Sequence, residues 1–455
     1  MIRIICPSNN IPERRYATEV MFNDLLGCNL TADDIRFDAQ AVNYTIQVDG
    51  KEIVVEDHFF QQYPEPLSYL KAEHLPAELV YFHAMGKEIP IIYGVDKYEE
   101  TDNKIVIGLD IFASTFFMLT RWEESLYGRD EKGDCPEKSL FTVKENIYQR
   151  PLVHEYEYLL KTLLNNWGIS TKEREYSVVM SHDVDGLVPP SCKKIAIDAC
   201  RQIKNGPPKN PVVNLTWQQE ILYKCTFPKA YSQVKLYVKL CERYGIPEWF
   251  YFKVCGKGEE EATYYYNDKR LKHVIDVLAA KNNPNIYIGF HPSQTTFDNP
   301  KQLETEWGRI VNVTNTHPTL GRGHHLLYNL PTLRMWEKMM SRDGQPFQVS
   351  NCVFHAHQGF RSGITVPYPI FDYYERRQMK LYEHPCQIMD TVIRYDAKKK
   401  SAEERWGEVK DIIEIVRYYK GELVLTWHIY IRNASLINKY FQWGVKTVDY
   451  ATRPK

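Results

Sequence analysis

From Tyr176 to the end of the chain, short apolar runs alternate with stretches of helical period. No other feature limits the fold as much. YSVVMS, PEWFYFKV, IYIGF, FQVSNCVF, HPCQIM and GELVLTWHI read as strands. Between them, KAYSQVKLYVKLCERYG, DKRLKHVIDVLAAKN, KQLETEWGRIVNVTN, LPTLRMWEKMMSRDG and SAEERWGEVKDIIEIVRYYKG repeat apolar residues three and four apart and read as helices. A helix that links two strands brings the chain back in the same direction, so such a series predicts a parallel sheet covered by helices. The sheet is either open or closed into a (β/α) barrel. One stretch breaks the series: Pro189-Pro190 followed by NGPPKNP, which reads as an irregular excursion.

The chain ahead of Tyr176 has a different rhythm. MIRIIC reads as a first strand, ERRYATEVMFNDLLG as a helix stopped at Gly27, and NYTIQVDGKEIVVED as a hairpin turning at Asp49-Gly50. DIFASTFFMLTRWEES reads as an apolar helix with a charged end, and YGRDEKGDCPEKS as a surface loop. The expected organisation is a smaller α+β domain over residues 1–150, a linking helix over 151–175 (PLVHEYEYLLKTLLNNWG) and an α/β barrel over 176–455.

Composition narrows the partners. Fifty-seven basic residues against 58 acidic ones leave a net charge of −1, which excludes a general pull toward nucleic acid. No run approaches the ~18 apolar residues that a membrane span needs. The ten cysteines are scattered without a CxxC, and MIRIICPSNNIPERRY lacks the long apolar core of a secretion signal. Both features fit a reducing, cytoplasmic setting. Thirty-two Tyr and nine Trp could stack on sugar rings, although aromatic residues more often serve the core.

In parallel α/β folds the chemistry sits just past the carboxyl ends of the strands. Here those positions repeatedly hold acids and histidines. YSVVMS runs into His182, Asp183, Val184 and Asp185; IYIGF into His291; HPCQIM into Asp390; and ELVLTW into His428. Between them lie Arg322-Gly323-His324-His325 and Gly359-Phe360-Arg361-Ser362-Gly363. In an extended segment Asp183 and Asp185 share a face. Their mutual repulsion favours a cation between them or an arginine beside them, although Asp-x-Asp alone fits a Ca²⁺ loop or an Asx-turn equally well. Each histidine taken singly reads as a hydrogen-bonded loop residue. Together the set points to hydrolytic metal chemistry. No GxSxG elbow, Walker loop or dinucleotide fingerprint competes with it.

Ser181-His182-Asp183-Val184-Asp185-Gly186, Ile288-Gly289-Phe290-His291-Pro292-Ser293, Gly359-Phe360-Arg361-Ser362-Gly363, the segment Tyr382 to Asp390, and Leu425-Thr426-Trp427-His428 resemble, in order, the five motifs of the polysaccharide deacetylases. These are the NodB-homology enzymes of the carbohydrate esterase family 4 type. The resemblance covers Tyr176 to about Tyr450. It implies a distorted (β/α) barrel of seven or eight parallel strands and a divalent metal, Zn²⁺ first and Co²⁺ or Ni²⁺ as alternatives. It also implies an N-acetylated carbohydrate as substrate. Asp183 would be the general base, with Arg361 paired to it. Asp185 and His291 would bind the metal. Asp390 would orient His428, the general acid, and Trp427 and Tyr430 would line an apolar pocket for the acyl methyl. The family's second histidine in motif two is replaced by Thr295, so the third ligand is expected from His324, then His325, then His355 or His357. The segment from Asp110-Ile111-Phe112 to Trp122-Glu123-Glu124 resembles an uncharacterised N-terminal region that accompanies a bacterial subgroup of these proteins. Two other functions fit the same residues: hydrolysis of another small amide or cyclic C–N bond, and an inert carbohydrate-binding barrel.

Overall fold

A computed structural model describes residues 2–129, 135–187, 189–208, 216–259, 264–341, 345–429 and 434–454, the side chains of 434–440 excepted. The early strands are β1 (Ile2–Pro7), β2 (Ile35–Asp38), β3 (Tyr44–Val48), β4 (Lys51–Val55), β5 (Val80–Ala84), β6 (Lys87–Ile91), β7 (Gly94–Glu100) and β8 (Lys104–Leu109). They are followed by β9 (Ser177–Val184), β10 (Glu248–Phe252), β11 (Ile286–Phe290), β12 (Leu320–Gly321) and β13 (Phe347–Val349). The last are β14 (Tyr368–Asp372), β15 (Arg377–Glu383), β16 (Cys386–Met389) and β17 (Glu422–Thr426). Two compact units share them. One comprises Met1–Glu175, Cys352–Pro385 and Tyr418–Gly421; the other comprises Tyr176–Asn351, Cys386–Arg417 and Glu422–Lys455.

The first unit holds a mixed six-stranded sheet in the order β2-β1-β3-β4-β8-β7. Its β3–β4 hairpin turns through Asp49 (φ 48°) and Gly50 (φ 84°), the two left-handed positions that the Asp-Gly pair supplies. The helix Ile111–Thr120 starts at Asp110, whose Oδ1 accepts from the Ala113 amide at 3.0 Å. Every residue from Ile111 to Leu119 is buried, which is why that run is apolar all round. The later segment is tied in by Tyr16, whose hydroxyl donates to the Pro369 carbonyl at 2.7 Å. β14 and β15 are antiparallel, as a short connection between adjacent strands requires.

The second unit is the α/β part. Its strands follow the order β13-β12-β11-β10-β9-β17-β16, and each described pairing among them is parallel. The seven parallel strands of this unit form a barrel-like wall. The helices Tyr231–Tyr244, Lys269–Ala280, Pro300–Thr314, Leu330–Met340 and Ala402–Tyr418 fall where the periodicity placed them. The excursion after Pro190 differs from expectation, because it contains the helices Cys192–Asn205 and Trp217–Thr226. The residues after the prolines explain this: the Ser191 hydroxyl caps the Lys194 amide, and Thr216 with Gln219 forms a capping box. No helix among the described residues is long and apolar enough to cross a membrane.

Register is what brings the chemistry together. Val184 pairs with Phe252, and Phe252 with Phe290. Phe290 in turn pairs with Gly321. The next residues, Asp185, Lys253, His291 and Arg322, therefore leave the wall side by side. Glycine at 289 makes room for this: a Cβ there would lie 2.4 Å from Leu320 Cδ1 and 2.6 Å from Tyr251 Cδ1. The Tyr251 ring sits 4.7 Å beneath the Arg322 guanidinium.

Candidate metal centre at the strand exits

Asp185, His291 and His324 each offer a ligand atom, and these atoms lie within 4.8 Å of one another. His291 shows how one donor is prepared. Its Nδ1 lies 2.7 Å from the Arg322 carbonyl, which can only accept, so Nδ1 carries the proton. Nε2, the lone-pair donor of the neutral ring, is buried and without a hydrogen-bond partner, and it faces Asp185 Oδ1 at 3.6 Å and Asp183 Oδ2 at 3.9 Å. A ring held by a backbone carbonyl with its other nitrogen directed at carboxylates suits a metal ligand. His324 Nε2 lies 3.7 Å from Asp185 Oδ1. A carboxylate and two imidazoles make a donor set that fits a divalent ion of the zinc type.

Asp183 lies beside this group in a different environment. Its Oδ1 accepts from Arg322 Nη1 at 2.9 Å, and its Oδ2 faces His428 Nε2 at 3.7 Å. Burial pushes the carboxyl up, but Arg322, His291 and His428 outweigh it and hold it below the ordinary aspartate value. Asp185 is held well below, with Lys253, His291 and His324 overriding the burial penalty. Arg322 is fully buried and well anchored: Nε donates to the Ser350 carbonyl at 2.6 Å, and Nη2 donates to Ser350 Oγ at 2.8 Å and Ser181 Oγ at 3.0 Å. Because Ser181 and Asp183 both reach this guanidinium, the alternation of β9 directs them to one face. His182 points to the other, where it stacks on Phe250 and donates from Nδ1 to the Trp427 carbonyl.

His428 completes the arrangement. Its Nδ1–H donates to Asp390 Oδ1 at 2.7 Å, and its backbone amide approaches Asp390 Oδ2 at 3.3 Å. Burial lowers its pKa, but Asp390, Asp183 and Asp185 reverse this and raise it to about 9. At neutral pH this is an imidazolium poised to give up a proton beside a carboxylate that can take one.

The structure corrects one expectation. Arg361 is not the partner of Asp183: its Nε and Nη2 grip Glu124 at 2.9 and 2.8 Å within the first unit, and its Nη1 donates to the Val353 carbonyl. The guanidinium on Asp183 comes from Arg322, a residue quoted in its motif but given no role by the sequence. Trp427 is fully buried, and a Cβ on Gly444 would lie 3.1 Å from its indole Nε1, so it packs against the C-terminal helix Ala434–Thr452. Tyr430 lies outside the described residues. Thr295, where the family carries a histidine, hydrogen-bonds Ser293 Oγ at 2.8 Å. The His324 ring packs 4.1 Å from that of His325, while His355 and His357 belong to the first unit. Lys253 was also missed; a lysine closing an apolar strand looks like one reaching for solvent.

Comparison with known proteins adds the following. Residues 2–168 match a family model described as a family of unknown function, DUF7033. No curated protein matches the chain. Among solved structures, the chain is similar to a candidate polysaccharide deacetylase involved in O-antigen biosynthesis from Bordetella bronchiseptica, at 12% identity and a TM-score of 0.30 over 61% of this chain and 85% of that one. It is also similar to a candidate polysaccharide deacetylase from Mycobacterium smegmatis, at 12% identity and a TM-score of 0.34 over 61% of this chain and 86% of that one.

Proposed function

We propose that this protein is a metal-dependent hydrolase that removes N-acetyl groups from a sugar or glycan precursor. One observation carries the reading: Asp183 spends one oxygen on Arg322 and turns the other toward His291 and His428, next to the Asp185–His291–His324 donors. A divalent ion held there, Zn²⁺ first and Co²⁺ or Ni²⁺ as alternatives, would supply Lewis acidity, lowering the pKa of water and polarising an acyl oxygen. Asp183 takes the proton from the attacking water, and Arg322 keeps it ionised to do so. His428, held in one tautomer by Asp390, gives its Nε2 proton to the departing nitrogen, so that amine and carboxylate are the products. The order of the strand-exit motifs directs the choice of amide toward an N-acetylated carbohydrate.

Acetate release from nucleotide sugars and short N-acetylated oligosaccharides tests the reading. Chelator-treated protein is expected to be inactive and to regain turnover with Zn²⁺, Co²⁺ or Ni²⁺. No release with any of these metals would retire the proposal. His324→Ala is expected to lower metal occupancy at least ~10-fold, and full occupancy in that variant would remove His324 from the donor set.

A further inference from the structure

Lys253 leaves β10 between Asp185 and His291 and is 3% exposed. Its ammonium lies 3.4 Å from Asp185 Oδ1 and 2.9 and 3.2 Å from the two ring nitrogens of His324. A group nearly equidistant from both imidazole nitrogens sits across the ring, off the axis of either lone pair. The two carboxylates of the Asp-x-Asp pair are thus balanced separately, Asp183 by Arg322 and Asp185 by Lys253. The two cations are held very differently. Arg322 makes four hydrogen bonds, whereas the lysine ammonium rides on a flexible four-carbon stem.

We propose that Lys253 is an internal counter-cation that competes with a divalent ion for Asp185 and His324, so that the ion loads only as the ammonium withdraws. This rests on the metal-dependent reading of the site. A zinc-type ion sits ~2.0–2.2 Å from its imidazole and carboxylate donors. With Nζ where it lies, 2.9 Å from His324 Nε2, an ion on that nitrogen would be at most about 5 Å from the ammonium. Like charges that close repel in a buried site. Lys253 therefore balances the charge of Asp185 before loading and sets the metal affinity below what the three donors alone would give. It acts through the donors, as a positioning residue.

The test is the Zn²⁺ dissociation constant at a single fixed pH, measured by competition with a chromophoric chelator on the full chain, with Co²⁺ absorption reporting the ligand field. Lys253→Met is expected to bind Zn²⁺ at least ~10-fold more tightly than wild type, and Lys253→Arg, which keeps the charge, to stay within about 3-fold of it. Equal or weaker binding by Lys253→Met overturns the proposal. If that variant does not melt like wild type, Lys253→Gln replaces it under the same criteria. Acetate release is measured in parallel. Tighter Zn²⁺ binding with no release from any variant would retire the hydrolase reading and leave the lysine inference standing. Release with unchanged affinity would overturn the lysine inference alone.

Discussion

Two buried arginine–carboxylate pairs, one in each unit, are alike in residue type and differ in what they leave over. In the first unit Arg361 grips both oxygens of Glu124, at 2.9 and 2.8 Å. In the second, Arg322 takes one oxygen of Asp183 at 2.9 Å and spends its remaining N–H groups on Ser350 and Ser181. Both carboxyls are held below their usual range against burial. Glu124, with both oxygens engaged, has nothing to offer a substrate. Asp183 keeps Oδ2 turned toward two imidazoles. The bidentate pair is a clasp and the one-sided pair leaves one carboxylate oxygen open, a difference set by geometry and not by residue type.

The sharpest way to break this contrast is to neutralise each carboxylate. Asp183→Asn is expected to cost ~10²–10⁴-fold or more in turnover with metal retained, while Glu124→Gln leaves turnover per folded molecule unchanged. Acetate-release kinetics alongside metal analysis read both, and equal losses would erase the distinction. Removing the arginines comes next. Arg322→Met and Arg361→Met each strand a buried carboxylate and should each cost about 3–5 kcal/mol of stability in denaturant unfolding. Only Arg322→Met should also lower kcat, and a matching kcat loss in Arg361→Met would place that residue back at the base.

The smallest effect concerns His428. The folded pKa of His428, about 9, lies above its ordinary value of 6.5. Its stabilisation is therefore complete below about pH 6.5 and is lost as pH rises through 9. In chelator-treated protein this amounts to roughly 3 kcal/mol, on the order of 1.4 kcal/mol per pKa unit. Asp390→Asn should flatten that decline and shift the alkaline limb of the kcat profile to lower pH. An unmoved limb would show that Asp390 does not tune His428.

Much of the second unit was legible because its signals are local. Strand and helix periods show within a few residues, and Asp183, Asp185, His291, Asp390 and His428 all fall at visible strand exits. β12 was invisible for the opposite reason: Leu320–Gly321 is too short to show a period, so Arg322 carried no mark of standing at a strand end. β5 to β8 went unread, although Met85-Gly86, with φ of 50° and 70°, is a turn of the same kind as Asp49-Gly50. β14 and β15 went unread as well, and with them the return of Cys352–Pro385 to the first unit.

The order of elements and the kinds of side chain at their ends were written in the sequence, because backbone period and turn chemistry act over neighbouring residues. Which arginine meets which acid was not. Asp183 and Arg322 are 139 residues apart and Glu124 and Arg361 are 237 apart, and an arginine at either position would serve either acid equally well on paper. Only the pairing of β9 through β12 and the packing of the first unit decided the match, because an ion pair forms where the backbone brings charges within about 4 Å and nowhere else.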